Sequence, residues 1–250
     1  DLIAENSQSE ATVICREAAI LSGRAWFNEV FKQVDPSVKI TWHFEDGDQV
    51  PENAIIVELS GPSRSLLSGE RAALNFVQTL SATATQTNKY VSRIAGTKTR
   101  ILDTRKTIPG FRLAQKYAVS CGGGKNHRIG LYDMILIKEN HIMAAGSITK
   151  AIQNARKLHP GIKIEVETET LAEFEEACAA DADIIMLDDF DLATMREAVQ
   201  NNPKKIPLEA SGGVNMDTVL SIAETGVDLI SIGEITKNVD AIDLSMRFKT

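Results

Sequence analysis

Between Lys98 and Lys138 the chain carries nine basic residues: Lys98, Arg100, Arg105, Lys106, Arg112, Lys116, Lys125, Arg128 and Lys138. Only Asp103 and Asp133 oppose them, leaving a local charge of +7 in a chain whose net charge is −7. An acidic protein with one basic segment is suited to capture a small anion, whereas a nucleic-acid backbone selects a broadly basic surface. Arg105 can fork onto a carboxylate or phosphate, while Lys106 and Lys138 act as point charges. His127-Arg128, after the run Gly122-Gly123-Gly124, adds two donors on a loop. Glu167 and Asp188 suit ribose hydroxyls or Mg²⁺, which takes one or two carboxylates plus substrate phosphates. Ser211-Gly212-Gly213 and Gly233 offer backbone N–H groups of the kind that hold a phosphate ahead of a helix. Together these residues outline an anionic substrate, a sugar diol with metal, and a phosphomonoester.

These groups must be brought together by the elements that carry them. From about Thr99 strands alternate with helices. The expected strands are Arg100–Asp103, Met134–Ile137, Ile162–Glu167, Asp183–Asp188, Ile206–Ala210 and Asp228–Ile232. Their cores are continuously apolar, as in parallel strands buried on both faces. Amphipathic helices are expected at Ser147–Leu158, Leu171–Ala179, Leu192–Gln200 and Asp217–Thr225. Repeated βα units imply a parallel barrel or a doubly wound sheet. Each strand ends on, or just before, a polar residue or glycine, and such ends converge on one mouth in a barrel. Six strands are fewer than eight, so the barrel is expected to be incomplete and open-sided.

The first third reads as a small α+β unit. Glu10–Arg16 is an expected strand, and Gly23–Val34 a helix with Trp26, Phe27, Val30 and Phe31 on one side. Val38 to Phe44 alternates apolar and polar as a half-buried antiparallel strand does. Asp46-Gly47-Asp48 makes a turn before a strand at Ala54–Leu59. A long helix from Gly69 to Ile94 is expected, with Ser68 as N-cap and Leu74, Val77, Leu80 and Ala84 on its apolar face. The fold class is therefore α/β: a small N-terminal α+β domain plus an incomplete, open parallel α/β barrel. The expected boundaries are 1–75 and 76–237, with 238–250 a candidate to join the first domain.

Composition narrows the class further. At 43% hydrophobic and 24% charged, 250 residues suffice for a core without disulfide or metal staples. Cys15, Cys121 and Cys178 are scattered and form no C-x-x-C pair, which fits a reducing cytoplasm. No apolar run nears the roughly 18 residues of a membrane span. No signal peptide is visible, and the opening Asp1-Leu2-Ile3 reads as trimmed. Taken singly, an Arg-Lys pair is ordinary surface, an acid after a strand is a helix cap, and Gly-Gly is a turn. Asp183 and Asp189 are read as such, His43 and His159 as surface histidines, and Trp26 and Trp42 as core. Coincidence at six strand ends is what sets the other residues apart.

The same residues carry a family resemblance. Leu102-Asp103-Thr104-Arg105-Lys106-Thr107-x-Pro109-Gly110, Lys116-Tyr117-Ala118-Val119, Cys121-Gly122-Gly123-Gly124, Asn126-His127-Arg128-x-Gly130-Leu131 and Ile137-Lys138-Glu139-Asn140-His141 resemble quinolinate phosphoribosyltransferase of the bacterial type. Glu165-Val166-Glu167, Ile185-Met186-Leu187-Asp188, Ser211-Gly212-Gly213 and, upstream, Gly69-Glu70-Arg71-x-Ala73-Leu74-Asn75 continue it along nearly the whole chain. The resemblance implies transfer of the phosphoribosyl group of PRPP to quinolinate with decarboxylation, giving nicotinate mononucleotide, pyrophosphate and CO2 in de novo NAD biosynthesis. It also implies a Mg²⁺-dependent cytoplasmic homodimer in which Arg71 reaches the neighbouring subunit's site. By position, Arg105, His127, Arg128 and Lys138 would bind the quinolinate carboxylates. Lys106 and Lys138 would meet pyrophosphate, and Glu167 and Asp188 would serve ribose and Mg²⁺ alongside PRPP oxygens. Ser211, Gly212, Gly213 and Gly233 would hold the 5-phosphate, with Thr104 and Ser231 in the same substrate-binding set. Lys106, Lys138, Glu167 and Asp188 form the expected catalytic group.

Two departures from the family pattern stand out. The family begins with further helical residues ahead of the first strand, and it commonly has Asn where this chain has Asp189, which adds a negative charge near the ribose site. Rival readings are a nicotinate phosphoribosyltransferase without decarboxylation, a pyrophosphorylase-like paralogue, and a carrier module. The last rests on Glu45–Pro51 followed by Ile55–Glu58, which resembles a biotinyl or lipoyl hairpin, but no lysine follows before Ser68.

Overall fold

The computed structural model describes residues 2–249. In chain order the elements begin with β1 (Gln8–Cys15), β2 (Ala19–Ile20), α1 (Arg24–Val34), β3 (Lys39–Trp42), β4 (Gln49–Val50), β5 (Ile55–Pro62) and α2 (Ser63–Arg93). There follow β6 (Arg100–Leu102), α3 (Arg112–Cys121), β7 (Ile135–Ile137), α4 (Glu139–Ala145), α5 (Ile148–Leu158), β8 (Ile164–Thr168) and α6 (Leu171–Ala179). The chain continues through β9 (Ile184–Asp188), α7 (Leu192–Gln200), β10 (Leu208–Ser211), α8 (Val219–Ala223), β11 (Leu229–Ser231), α9 (Glu234–Lys237) and β12 (Leu244–Phe248). Asp1–Lys89, Thr107–Gly124 and Glu234–Thr250 make one compact unit, and Tyr90–Lys106 with Lys125–Gly233 make a second. These divisions fall elsewhere than the expected 75/76 boundary.

The first unit is built on an antiparallel sheet of order β12-β1-β5-β3. Five residue pairs from Ala11↔Phe248 to Cys15↔Leu244 place the last strand beside the first. The core holds Phe27, Phe31, Ile56, Val57, Leu59, Leu74 and Val77, each 2% exposed or less. Trp26 and Trp42 are half-buried at its margin, a correction to their reading as core residues. Trp42 lies edge-on to Phe27 and donates its Nε1–H to Asn28.

Helix α2 starts at Ser63, not after a Ser68 cap, so the expected start at Gly69 is also corrected. Gly69 lies inside the helix for a packing reason. An added Cβ would stand 2.5 Å from the Phe31 ring, so the glycine makes room for the aromatic and marks no terminus. The expected apolar face is correct: Leu74, Val77, Leu80 and Ala84 are all 1% exposed or less.

The second unit holds six parallel strands in the order β6-β11-β10-β9-β8-β7. All six expected strands are present. The barrel is not closed, because β6 and β7 pair on one side only. On the open side of β6 the chain at Lys125 takes a strand's place, donating its N–H to Ile101 and accepting from that of Asp103. Ile101, Val166, Ile185, Leu187, Leu208, Ala210 and Ile230 are at most 1% exposed. Strands of this composition are buried on both faces of the sheet. The outer helices carry ordinary caps: Ser147, Thr170 and Asp191 accept the backbone N–H groups of Lys150, Glu173 and Thr194.

Candidate active site

Parallel strands present their C-terminal ends on one side, and in the second unit those ends carry the predicted chemistry. Thr104, Arg105 and Lys106 follow β6, and Lys138 follows β7 as the N-cap of α4. Glu167 is the penultimate residue of β8, while Asp188, Ser211 and Ser231 close β9, β10 and β11. Register puts Asp188 opposite Ser211. Side chains two residues apart on a strand share a face, so Glu165 shares that of Glu167 and Glu209 that of Ser211.

Several of these groups touch. Lys138 Nζ donates to Glu167 Oε2 at 2.5 Å, the lysine half exposed and the glutamate 12% exposed. Lys106 lies along Gly233, where an added Cβ would stand 3.0 Å from its Cδ and 3.7 Å from its Nζ and from Thr104 Oγ1. The missing side chain at Gly233 thus gives the lysine its course. Arg128 Nη1 donates to the Met134 carbonyl at 3.2 Å. Burial lowers the Arg128 pKa, and the charge of Arg105 lowers it further, so two guanidinium groups are held within repulsive reach.

At the β10 end, Gly212 has φ +93° and Gly213 +56°, a left-handed run that suits glycine. A Cβ on Gly212 would also overlap the Asp189 carboxylate. Asp189 is itself left-handed (φ 55°), a conformation Asp and Asn tolerate better than most, and its N–H donates to the Ser211 carbonyl at 3.0 Å. Asp183 is structural, as expected, accepting the Ile164 N–H at 2.8 Å and pairing with Arg156.

His127 departs from expectation. Its Nε2 lies 2.8 Å from Glu165 Oε2 and 3.4 Å from Glu209 Oε2, and its Nδ1 accepts the Arg128 backbone N–H at 2.8 Å. Both ring nitrogens are thereby turned to protein groups, so the expected carboxylate ligand faces inward. The imidazole is 8% exposed and both glutamate side chains 0%. Burial pulls the His127 pKa down, but hydrogen bonding to Glu165 and Glu209 outweighs it and pushes it up to about 10. Burial, then the charge of Glu209, raises Glu165 to about 7. The Arg128 N–H at Nδ1 favours the ring protonated on Nε2 alone, whereas the carboxylates favour a second ring proton. His127 and Glu165 are so close that they titrate as one unit.

Glu165, Glu209, Asp103 and Asn126 were missed as site-forming residues. Asp103 is fully buried; its Oδ1 accepts the His127 N–H at 2.8 Å and its Oδ2 the Asn126 Nδ2–H at 2.6 Å. A signal was present: an acid one or two residues inside an otherwise apolar parallel strand has no ordinary place in a core. Conversely, much of the basic segment lies away from the strand ends. Lys98 pairs with Asp228 at 2.7 Å, and Arg112 and Lys116 belong to α3 of the first unit. Arg71 is exposed on α2 of that unit.

Glu167, which pairs with Lys138, and Asp188 are the donors that would face a hard divalent cation. These are oxygen donors at the ends of adjacent strands, and two carboxylates are what Mg²⁺ takes when phosphate oxygens complete its shell. His127, Glu165 and Glu209 also bring three ligand-type atoms within 4.8 Å of one another, with both glutamates buried and the histidine partly so.

Comparison with known proteins agrees with this geometry. The family description "Quinolinate phosphoribosyl transferase, N-terminal domain" matches residues 1–81, and "Quinolinate phosphoribosyl transferase, C-terminal domain" matches residues 83–247. A Bacillus subtilis protein named "Probable nicotinate-nucleotide pyrophosphorylase (carboxylating)" is 44% identical over 238 residues, 95% of this chain and 82% of that protein. A mitochondrial quinolinate phosphoribosyltransferase (decarboxylating) of Nicotiana tabacum is 39% identical over 264 residues, 97% of this chain and 74% of its own length. The solved nicotinate-nucleotide pyrophosphorylase from Francisella tularensis superposes with a TM-score of 0.97 at 52% identity, covering 99% of this chain and 89% of that one. With both of its domains matched and the strand-end residues in place, the chain belongs to the quinolinate phosphoribosyl transferase family.

Proposed function

We propose that this protein transfers the phosphoribosyl group of PRPP to quinolinate with decarboxylation, yielding nicotinate mononucleotide, pyrophosphate and CO2, a pentosyltransferase step of de novo NAD biosynthesis. The observation that carries this reading is the set of cations at the strand ends: Arg105 and Lys106 after β6, and Lys138 after β7, where it pairs with Glu167, with the charge of Arg105 also felt at Arg128. Two guanidinium groups held in mutual repulsion gain from an anion placed between them, and a dicarboxylate supplies two.

In this reading Arg105, Arg128 and Lys138 hold the quinolinate carboxylates and set the approach of the ring nitrogen to the anomeric carbon, a proximity effect. The N–C bond forms as the bond to pyrophosphate breaks, and Lys106 and Lys138 stabilise the charge gathering on the leaving group. The 2-carboxylate then departs as CO2. Its bonding pair enters the cationic pyridinium ring, and the vacated carbon takes a proton. Glu167 and Asp188 orient the ribose hydroxyls, with Ser211, Gly212, Gly213, Ser231 and Gly233 about the 5-phosphate and Thr104 beside Lys106. Mg²⁺ held by Glu167, Asp188 and PRPP oxygens would neutralise pyrophosphate charge when bound.

The proposed setting is the cytoplasm, where three free thiols stay reduced. The proposed assembly is a homodimer in which Arg71 enters the neighbouring site. Leu131, Tyr132 and Met143, each at least 71% exposed, are apolar side chains that an interface would cover. No helix among the described residues is long and apolar enough to cross a membrane.

The test follows the ultraviolet spectrum with quinolinate, PRPP and Mg²⁺, and in parallel with nicotinate replacing quinolinate. Nicotinate mononucleotide formed with matching CO2, from quinolinate alone, is the expected result. Turnover of nicotinate alone would reverse the substrate assignment. Mixing inactive Arg71→Ala and Lys138→Ala subunits should restore part of the activity. No recovery despite proven subunit exchange would rule out the shared site.

A further inference from the structure

We propose that Glu165 and Glu209 are positioning residues for the quinolinate-binding cations, acting through His127 on Arg128; this rests on the function proposed above. Both are 0% exposed inside parallel strands, and one carboxylate oxygen of each lies 2.8 Å (Glu165) or 3.4 Å (Glu209) from the His127 Nε2. The His127 imidazole lies against both of them. Stability alone does not explain that arrangement. Taking a carboxylate out of water costs several kcal/mol, and well-packed apolar residues in place of a buried ion pair are often neutral or stabilising.

What the arrangement supplies is a ring fixed in orientation. Nε2 is directed at the two carboxylates, which leaves Nδ1 aimed at the Arg128 N–H, 2.8 Å away. The His127 N–H is tied to Asp103 Oδ1 at 2.8 Å, so consecutive backbone amides are pinned. The far end of Arg128 is tied to the Met134 carbonyl. The guanidinium is therefore fixed from both ends within reach of Arg105, and the Glu165 charge acts on it against that repulsion. Replacing either glutamate with glutamine removes the anion that aims the ring. Arg128 then loses its amide acceptor and can move away from Arg105.

The experiment compares wild type, Glu209→Gln, Arg128→Ala and the double variant. It reads KM for each substrate, kcat, the unfolding midpoint, and hydrogen exchange at the Arg128 amide. Glu209→Gln should raise KM for quinolinate roughly tenfold and leave KM for PRPP within about twofold, while in the Arg128→Ala background it should add nothing. The Arg128 amide should exchange faster in Glu209→Gln, with the midpoint unchanged or raised. Glu165→Gln gives the same readings should Glu209→Gln fail to accumulate. An equal fold-loss in both backgrounds would overturn the proposal, as would parallel KM rises for both substrates with a lowered midpoint, or an Arg128 amide that exchanges as in wild type. If wild type fails to use quinolinate while Glu209→Gln still deprotects the Arg128 amide, the proposed function falls but the positioning chain stands.

Discussion

The two sheets use the same residue types to opposite ends. In the antiparallel sheet, Lys249 pairs with Glu58 at 2.9 Å and Glu10 at 3.4 Å, and His43 meets Glu58 at 3.5 Å, with every partner 37% exposed or more. Water screens these charges, and such pairs contribute little to stability. In the parallel sheet a histidine and two glutamates meet at similar distances with at most 8% exposure. There the His127 and Glu165 pKa values rise well above their ordinary range and two carboxylates share one imidazole. The difference lies in topology. An antiparallel strand has one face in water, whereas a strand inside a parallel barrel has none, so a charge placed there must be held by another charge.

The sharpest way to break this contrast is at the strand ends. Arg105→Ala should lower kcat/KM for quinolinate by on the order of a thousandfold, as expected when a bidentate charged contact to a reacting substrate is lost. Near-normal kinetics in that variant would remove the cationic site from the argument.

Next in size is Gly69→Ala in the first unit. Helix propensity favours alanine by about 1 kcal/mol, but overpacking a tight core typically costs about 1–3 kcal/mol. Because the added carbon would sit 2.5 Å from the Phe31 ring, overlap should win and the denaturation midpoint should fall. An unchanged or raised midpoint would mean that the glycine is incidental.

The pH dependence should separate the exposed carboxylates of the first unit from the buried histidine cluster of the second by sign. Glu58 and Asp35 of the first unit are held below the usual carboxylate range, Glu58 by Lys249 and Asp35 by Ser37 and Ser65. A carboxyl with a lowered folded pKa loses its contribution as pH falls through that value. At His127 and Glu165 of the second unit the folded state binds more protons than the unfolded chain, because both shifts are upward. The contribution of this buried cluster should therefore fall as pH rises from about 4.5, the ordinary glutamate value, through the His127 pKa of about 10. His127→Asn should flatten the alkaline limb of a plot of midpoint against pH and leave the acid limb alone. Flattening of the acid limb instead would reverse the assignment. The smallest effect belongs to Lys249→Ala, which should leave the midpoint unchanged within error at physiological salt. A clear drop would show that the exposed pairs matter more than their screening allows.

The sequence alone determined the six parallel strands, since continuous apolar cores with polar ends are a local pattern that reports burial on both faces. It also determined which residues stand at those ends, because a residue's place along its strand is read by counting. The open barrel followed from the number of strands. Helices α3 and α4 went unread: α3 buries Gln115 and Lys116 beside Ala114, Ala118 and Val119, and the seven-residue α4 buries no residue, so neither carries a plainly apolar stripe to read. The start of α2 was misread because a glycine needed by Phe31 looks locally like a boundary. Only tertiary structure could pair β12 with β1, more than 200 residues away, or show that His127 turns inward. Strand periodicity is written in neighbouring residues, but the partner of a buried charge is chosen by strand order and register. Those bring Glu165 and Glu209 to one imidazole from strands that the sequence keeps far apart.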